Sequence, residues 1–109
     1  MTNYLFIESR DPFGSTDSTF VAETAIALKQ RDNEVTVFLV QNGVLAARKN
    51  ARGSHLPQLP KAGVRVIADA FSLRERGIEA GELLPGIQQS SIDSLVDILI
   101  RENTKAIWH

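Results

Sequence analysis

Val64-Arg65-Val66-Ile67-Ala68-Asp69-Ala70-Phe71-Ser72-Leu73-Arg74-Glu75-Arg76-Gly77-Ile78 is the stretch whose reading decides the fold. Its β-branched apolar start reads as a strand over Val64–Ala68, broken at Asp69. Ser72 to Arg76 then reads as a short helix, which Gly77 ends. Upstream, Gly63 fits the position just past a helical turn. The same alternation of short apolar runs with helical segments recurs along the chain, as in a parallel sheet covered by helices.

Toward the N-terminus, Tyr4–Ile7 reads as the first strand, followed by a turn-rich loop from Ser9 to Ser18 in which Pro12 and Gly14 suit tight turns. Ser18 to Arg31 has the spacing of a helix, with Phe20, Val21, Thr24, Ala25, Ala27 and Leu28 on the buried face. Glu34–Val40 is apolar on both faces, as an interior parallel strand is, and stops at Gln41-Asn42-Gly43. Val44 to Lys49 reads as a short helix, which Gly53, Pro57 and Pro60 prevent from continuing. Toward the C-terminus, Pro85 limits the 79–89 region to a short or peripheral strand. Ser91 to Asn103 is predicted as a helix capped by Ser90 or Ser91, with Ile92, Leu95, Val96 and Leu99 as its core stripe and Arg101 in its last turn. Lys105–His109 closes the chain as a strand. The predicted fold is an α/β, three-layer α/β/α sandwich with a mainly parallel sheet of about five strands, in a single domain over 1–109.

The composition excludes several functions. With a formal charge of −1, the 109 residues offer no long-range attraction for nucleic acid or for an anionic membrane surface. The first apolar run is too short for a signal peptide and no run approaches a membrane span, so the cytoplasm is the expected compartment. There is no cysteine, so no disulfide can form. Two histidines without cysteine cannot build a zinc site of His and Cys ligands within one chain, and no metal or other cofactor is expected. Nucleotide signatures of the G-x-x-x-x-G-K-[ST] and G-x-G-x-x-G types are absent.

In a parallel sheet the loops after the strand C-termini gather on one edge, where ligands bind. That edge collects Ser9–Thr16, Gln41–Gly43 and Asp69–Ser72. The candidate ligand-binding residues are Asp11, Gly14, Ser15, Gln41, Asn42, Asp69, Phe71, Ser72 and Arg76. Gly14, Ser15, Thr16 and Ser18 fit either an anion site or an ordinary helix cap. Asp69 fits a helix cap best, with a hydrogen-bond acceptor, a cation ligand or a general base as the alternatives. Arg48, Lys49, Arg52 and His55 read as a solvated basic loop or an anion pocket, and Ser54 beside His55 defines no triad, since a triad is a matter of geometry. Asp93 and Asp97, with Arg101 one turn on, read as a solvated row of ion pairs. Ile98, Ile100, Leu83, Leu84, Ile87 and Trp108 add apolar surface that fits either a subunit interface or a second buried face.

The strand-one loop leading to an Ala-rich helix, Val37-Phe38-Leu39-Val40 followed by Gln41-Asn42-Gly43-Val44-Leu45-Ala46-Ala47-Arg48, Ala62-Gly63-Val64-Arg65-Val66-Ile67, and the Arg76-Gly77-Ile78 close together resemble the DsrE/DsrF-like sulfur-relay proteins of the TusBCD type. The resemblance covers most of the chain. Many of those proteins carry a persulfide-forming cysteine where the third strand ends, the place that Asp69 holds here. The resemblance implies a homo-oligomer, trimer or hexamer, and a sulfur-relay protein as partner. A carboxylate cannot replace the thiolate sulfur that persulfide formation requires. The expected function is therefore ligand binding or assembly, associated with intracellular sulfur metabolism and with no catalytic residue. The alternative is a small enzyme acting on an anionic substrate at the sheet edge or a subunit boundary, with Asp69, Arg76 or His55 in acid/base roles.

Overall fold

The computed structural model describes residues 2–11, 17–51 and 55–109. Five strands form one sheet: β1 (Asn3–Glu8), β2 (Glu34–Leu39), β3 (Arg65–Asp69), β4 (Ile87–Ser90) and β5 (Thr104–Trp108). Their order is β4-β3-β2-β1-β5 and every pairing is parallel. Between them lie the helices α1 (Asp17–Gln30), α2 (Gln58–Lys61), α3 (Ala70–Glu75) and α4 (Ile92–Leu99), with 3₁₀ helices at Gln41–Ala47 and Ala80–Glu82.

Strand order and handedness together explain the layers. From β1 to β4 each connection steps the same way across the sheet, so right-handed crossovers put α1, α2 and α3 on one face. Only the return from β4 to β5 runs backwards, which puts α4 on the other. The core divides accordingly. Phe6, Val37 and Val66 pack with Val21 and Ala25 of α1, Leu59 of α2 and Leu73 of α3. Leu5, Phe38 and Ile67 point the opposite way, to Leu95 and Ile98 of α4. The three-layer α/β sandwich expected from the sequence is present, with one helix of 8 residues making up its thinner layer.

That thin layer corrects the reading of the last helix. Helix α4 ends at Leu99, and the chain leaves it through a turn in which Asn103 takes a positive φ of 59°. Arg101 therefore lies beyond the helix, and the predicted row from Asp93 and Asp97 does not continue to it. Of the expected stripe only Leu95 is buried. Ile98, read as off the stripe, is buried instead, while Ile92, Val96 and Leu99 are exposed. A lone helix on a sheet buries only its line of contact, here Leu95 and Ile98, because among the described residues no second helix covers its flanks. Ser91 occupies the N-cap position without a side-chain capping bond, and the Ser90 hydroxyl is bonded to that of Ser94.

Helix α1 needs a similar correction. Val21, Ala22 and Ala25 form its buried line, whereas Phe20 is 68% exposed at the start of the helix. The segment after β2 is a 3₁₀ helix beginning at Gln41, earlier than the expected Val44. Its Gly43 lies against β1, where a Cβ would stand 2.2 Å from the Glu8 carbonyl oxygen. β4 is the peripheral strand that Pro85 allowed, and Gly77 ends α3 with a φ of 66°.

Candidate functional site

Strands β3 and β4 are neighbours whose following helices leave to opposite faces, so the crevice beyond their C-termini is a topological switch point, the usual ligand position in such sheets. An open groove of about 710 Å³ lies there. It collects Gln41 and Asn42 from the end of β2, Asp69, Phe71, Ser72 and Arg76 from the β3–α3 joint, and Ile92 and Trp108 from α4 and β5.

Asp69 ends β3 and is at once the N-cap of α3. Its Oδ2 accepts from the Ser72 backbone N–H at 3.0 Å and from the Ser72 hydroxyl at 2.7 Å. With its proton committed to the carboxylate, Ser72 Oγ accepts from the Gln41 backbone N–H at 2.8 Å. This bond holds Gln41 at a φ of 51°, a left-handed conformation that a non-glycine residue adopts only when its surroundings impose it. Both Asp69 and Ser72 are buried. The chain Gln41–Ser72–Asp69 thus pins the end of β2 to the end of β3, and its local part satisfies two donors at the start of α3.

Arg76 adds a second clamp. Its Nε and Nη2 donate to Asn42 Oδ1 at 3.2 and 3.0 Å, and its Nη1 donates to the Ser72 carbonyl at 3.2 Å. A planar guanidinium that spends three donors this way fixes the rim geometry better than a lysine could. Around this polar floor stand Phe71 and Trp108, 60% and 65% exposed. The groove therefore combines fixed polar groups with aromatic walls, the usual make-up of a small-molecule site. It contains no thiol.

Six of the predicted residues, Gln41, Asn42, Asp69, Phe71, Ser72 and Arg76, line this groove. Asp11, which follows Arg10 past the end of β1, does not line it. Gly14, Ser15 and Thr16 lie outside the described residues, as do Arg52 and Ser54 of the basic loop. His55 belongs to a separate cavity of about 40 Å³ on the α1 face, lined also by Glu8, Arg10 and apolar side chains. Arg48 turns back on its own helix, its Nε donating to the Leu45 carbonyl at 3.0 Å. Neither Arg48 nor His55 lines the groove.

One polar pair escaped sequence reasoning. Glu8, at the end of β1, is buried, and its carboxylate holds His109 Nδ1 at 2.8 and 2.7 Å while accepting from the Arg10 backbone N–H at 3.0 Å. β1 and β5 are in register, and the His109 main chain closes the ladder through Ile7 and Ser9. The two residues are 101 positions apart, so only a charged residue at the end of an apolar strand hinted at a partner. Among the described residues no group of three or more His, Cys, Asp or Glu could hold a metal ion, and no helix is long and apolar enough to cross a membrane.

Comparison with known proteins supplies the class. The DsrE/DsrF-like family profile matches residues 2–105, and the chain belongs to this family. Among solved structures, the ychN protein from E. coli superposes with a TM-score of 0.78 at 23% identity, over 98% of this chain and 100% of its own. The MTH1491 protein from Methanobacterium thermoautotrophicum, described as of unknown function, superposes with a TM-score of 0.77 at 20% identity, over the whole of both chains. At such identities the likeness establishes the fold. A search of curated protein sequences finds no significant match.

Proposed function

We propose that this chain is a cysteine-less DsrE/DsrF-like subunit that binds a small polar ligand in the groove between α3, the Gln41–Asn42 turn and Trp108, within a homo-oligomer of trimeric or hexameric type. Its place is in cytoplasmic sulfur metabolism beside a sulfur-relay partner, and it carries no persulfide itself. One observation supports this reading above the others: the groove lies at the switch point and its polar residues are already locked by Gln41–Ser72–Asp69 and Asn42–Arg76 bonds, so little ordering is needed when a ligand enters. The same bonds favour binding over catalysis. Asp69 Oδ2 already receives two donors from its own helix, which makes the carboxylate a positioning group.

The test uses thiosulfate, a small sulfur anion, as the probe. Calorimetric titration is expected to show saturable binding to the wild type, with at least tenfold loss in Arg76→Ala, about 1.4 kcal/mol. No binding to the wild type, or equal binding to the variant, defeats the assignment of the groove to such a ligand. A companion variant, Asp69→Cys, is expected to gain one sulfur atom by mass spectrometry after exposure to a polysulfide donor, while the wild type gains none. Failure of the variant to load counts against an inherited site geometry at the end of β3.

A further inference from the structure

The two edges of the sheet are protected to different degrees. β4 is four residues long and follows Pro85 and Gly86. β5 is five residues long, has no proline, and carries Lys105 as its single charge. Among the described residues nothing pairs with its outer side. Natural edge strands of this length are normally blunted by proline, charge or a bulge, because their open N–H and C=O groups recruit another strand. β5 has Lys105 as its one such device, and otherwise presents large apolar side chains on both faces, with Trp108 65% and Ile107 40% exposed.

The backbone phase of β5 shows what would fit. His109 N–H donates to the Ile7 carbonyl, and its carbonyl accepts from Ser9 N–H; Asn103 O accepts from Asn3 N–H. Residues 103 and 109 therefore face β1, and by the alternation of a parallel ladder Thr104, Ala106 and Trp108 direct their N–H and C=O groups outward. Three outward residues at every second position are self-complementary in an antiparallel pair centred on the middle one. Ala106 then faces the Ala106 of a second copy, and Thr104 faces the second copy's Trp108, each couple exchanging two hydrogen bonds. Lys105 falls opposite Ile107 of the other copy, so no like charges stand directly opposed. The smallest side chain of the strand sits at the two-fold axis, and each indole covers a threonine.

We infer that the β5 edge is a two-fold interface with a second copy of this chain, joined by antiparallel strand pairing centred on Ala106; this rests on the proposed homo-oligomer and names its contact. The interface also reaches the groove. Trp108 is a groove wall and an interface residue together, so pairing fixes the indole that borders the ligand, and association and ligand binding strengthen one another. In a hexamer this contact joins two halves; in a dimer it is the whole interface.

The absence of cysteine provides a direct test. In Ala106→Cys the only thiols in the assembly meet at the axis, with Cα atoms about 5.5 Å apart, inside the range a disulfide spans. Oxidation with copper phenanthroline is expected to give a covalent dimer as the major species on a non-reducing gel, with Lys61→Cys, on a distant surface, remaining monomeric. Ala106→Pro removes an N–H that β1 does not use, so the subunit should keep its far-UV dichroism while the native mass by light scattering falls to half. An even-numbered wild type whose mass survives Ala106→Pro, and whose Ala106→Cys form does not cross-link, overturns the edge contact. A wild-type trimer with those same results overturns it too but leaves the homo-oligomer intact. A wild type that is monomeric throughout the micromolar range defeats both. If Ala106→Pro fails to fold, cross-linking of Ala106→Cys decides alone.

Discussion

Two carboxylates are buried at the same edge of this sheet, and they are satisfied in opposite ways. Asp69 is held by Ser72, three residues on, through the first turn of its own helix. Glu8 is held by His109, at the far end of the chain, through the pairing of β1 with β5. The first arrangement forms as soon as α3 forms. The second exists only when β1 and β5, from distant parts of the sequence, are paired. Local capping is cheap to form and modest in value, whereas the long-range pair ties distant parts of the sequence together, and its loss takes a partner from buried polar atoms.

The largest effect expected from a single substitution lies beneath the long-range site. Gly43→Ala places a Cβ against the Glu8 carbonyl, a backbone atom that cannot yield without disturbing β1, and should cost about 3 kcal/mol in urea unfolding. A cost near that of an ordinary exposed Gly→Ala change would show that the turn and β1 adjust independently. Next comes Glu8→Ala, which strips His109 and the Arg10 N–H of their acceptor and should cost roughly 2–3 kcal/mol. The amides of β5 should then lose hydrogen-exchange protection before those of β3, and equal loss across the sheet would contradict a role confined to the β1–β5 joint. Smallest is Asp69→Ala, about 1–2 kcal/mol for a lost cap, with Asp69→Asn recovering much of it by keeping an acceptor for Ser72. An Asn variant as unstable as the Ala variant would mean that the negative charge matters more than the cap.

The same contrast explains what could be read from the sequence. The β3–α3 joint was legible because strand, cap and helix are consecutive, and Asp at the N-cap has a local physical cause. The groove was partly legible, since parallel strands bring their C-terminal loops to one edge wherever the chain places them; Gln41, Asn42, Phe71 and Ser72 follow from that rule. Trp108 as a groove wall, the Ser72–Gln41 bond and the Glu8–His109 pair do not, because each joins segments whose proximity depends on strand order. The exposed Ile92, Val96 and Leu99 were read as core for a related reason. Periodicity shows that a helix has an apolar face, and cannot tell how much of that face another layer covers.

The sequence alone determined an α/β fold with a parallel sheet, the strand-to-helix joint at Asp69 and the lack of any thiol chemistry, because alternation, capping and composition act over a few residues. Among the described residues, tertiary structure decided which helix stands alone on its face, which carboxylate meets the distant histidine, and that β5 is an open edge. Those properties depend on the order β4-β3-β2-β1-β5, which arises from the competition of all strands for neighbours and from the single reversed crossover.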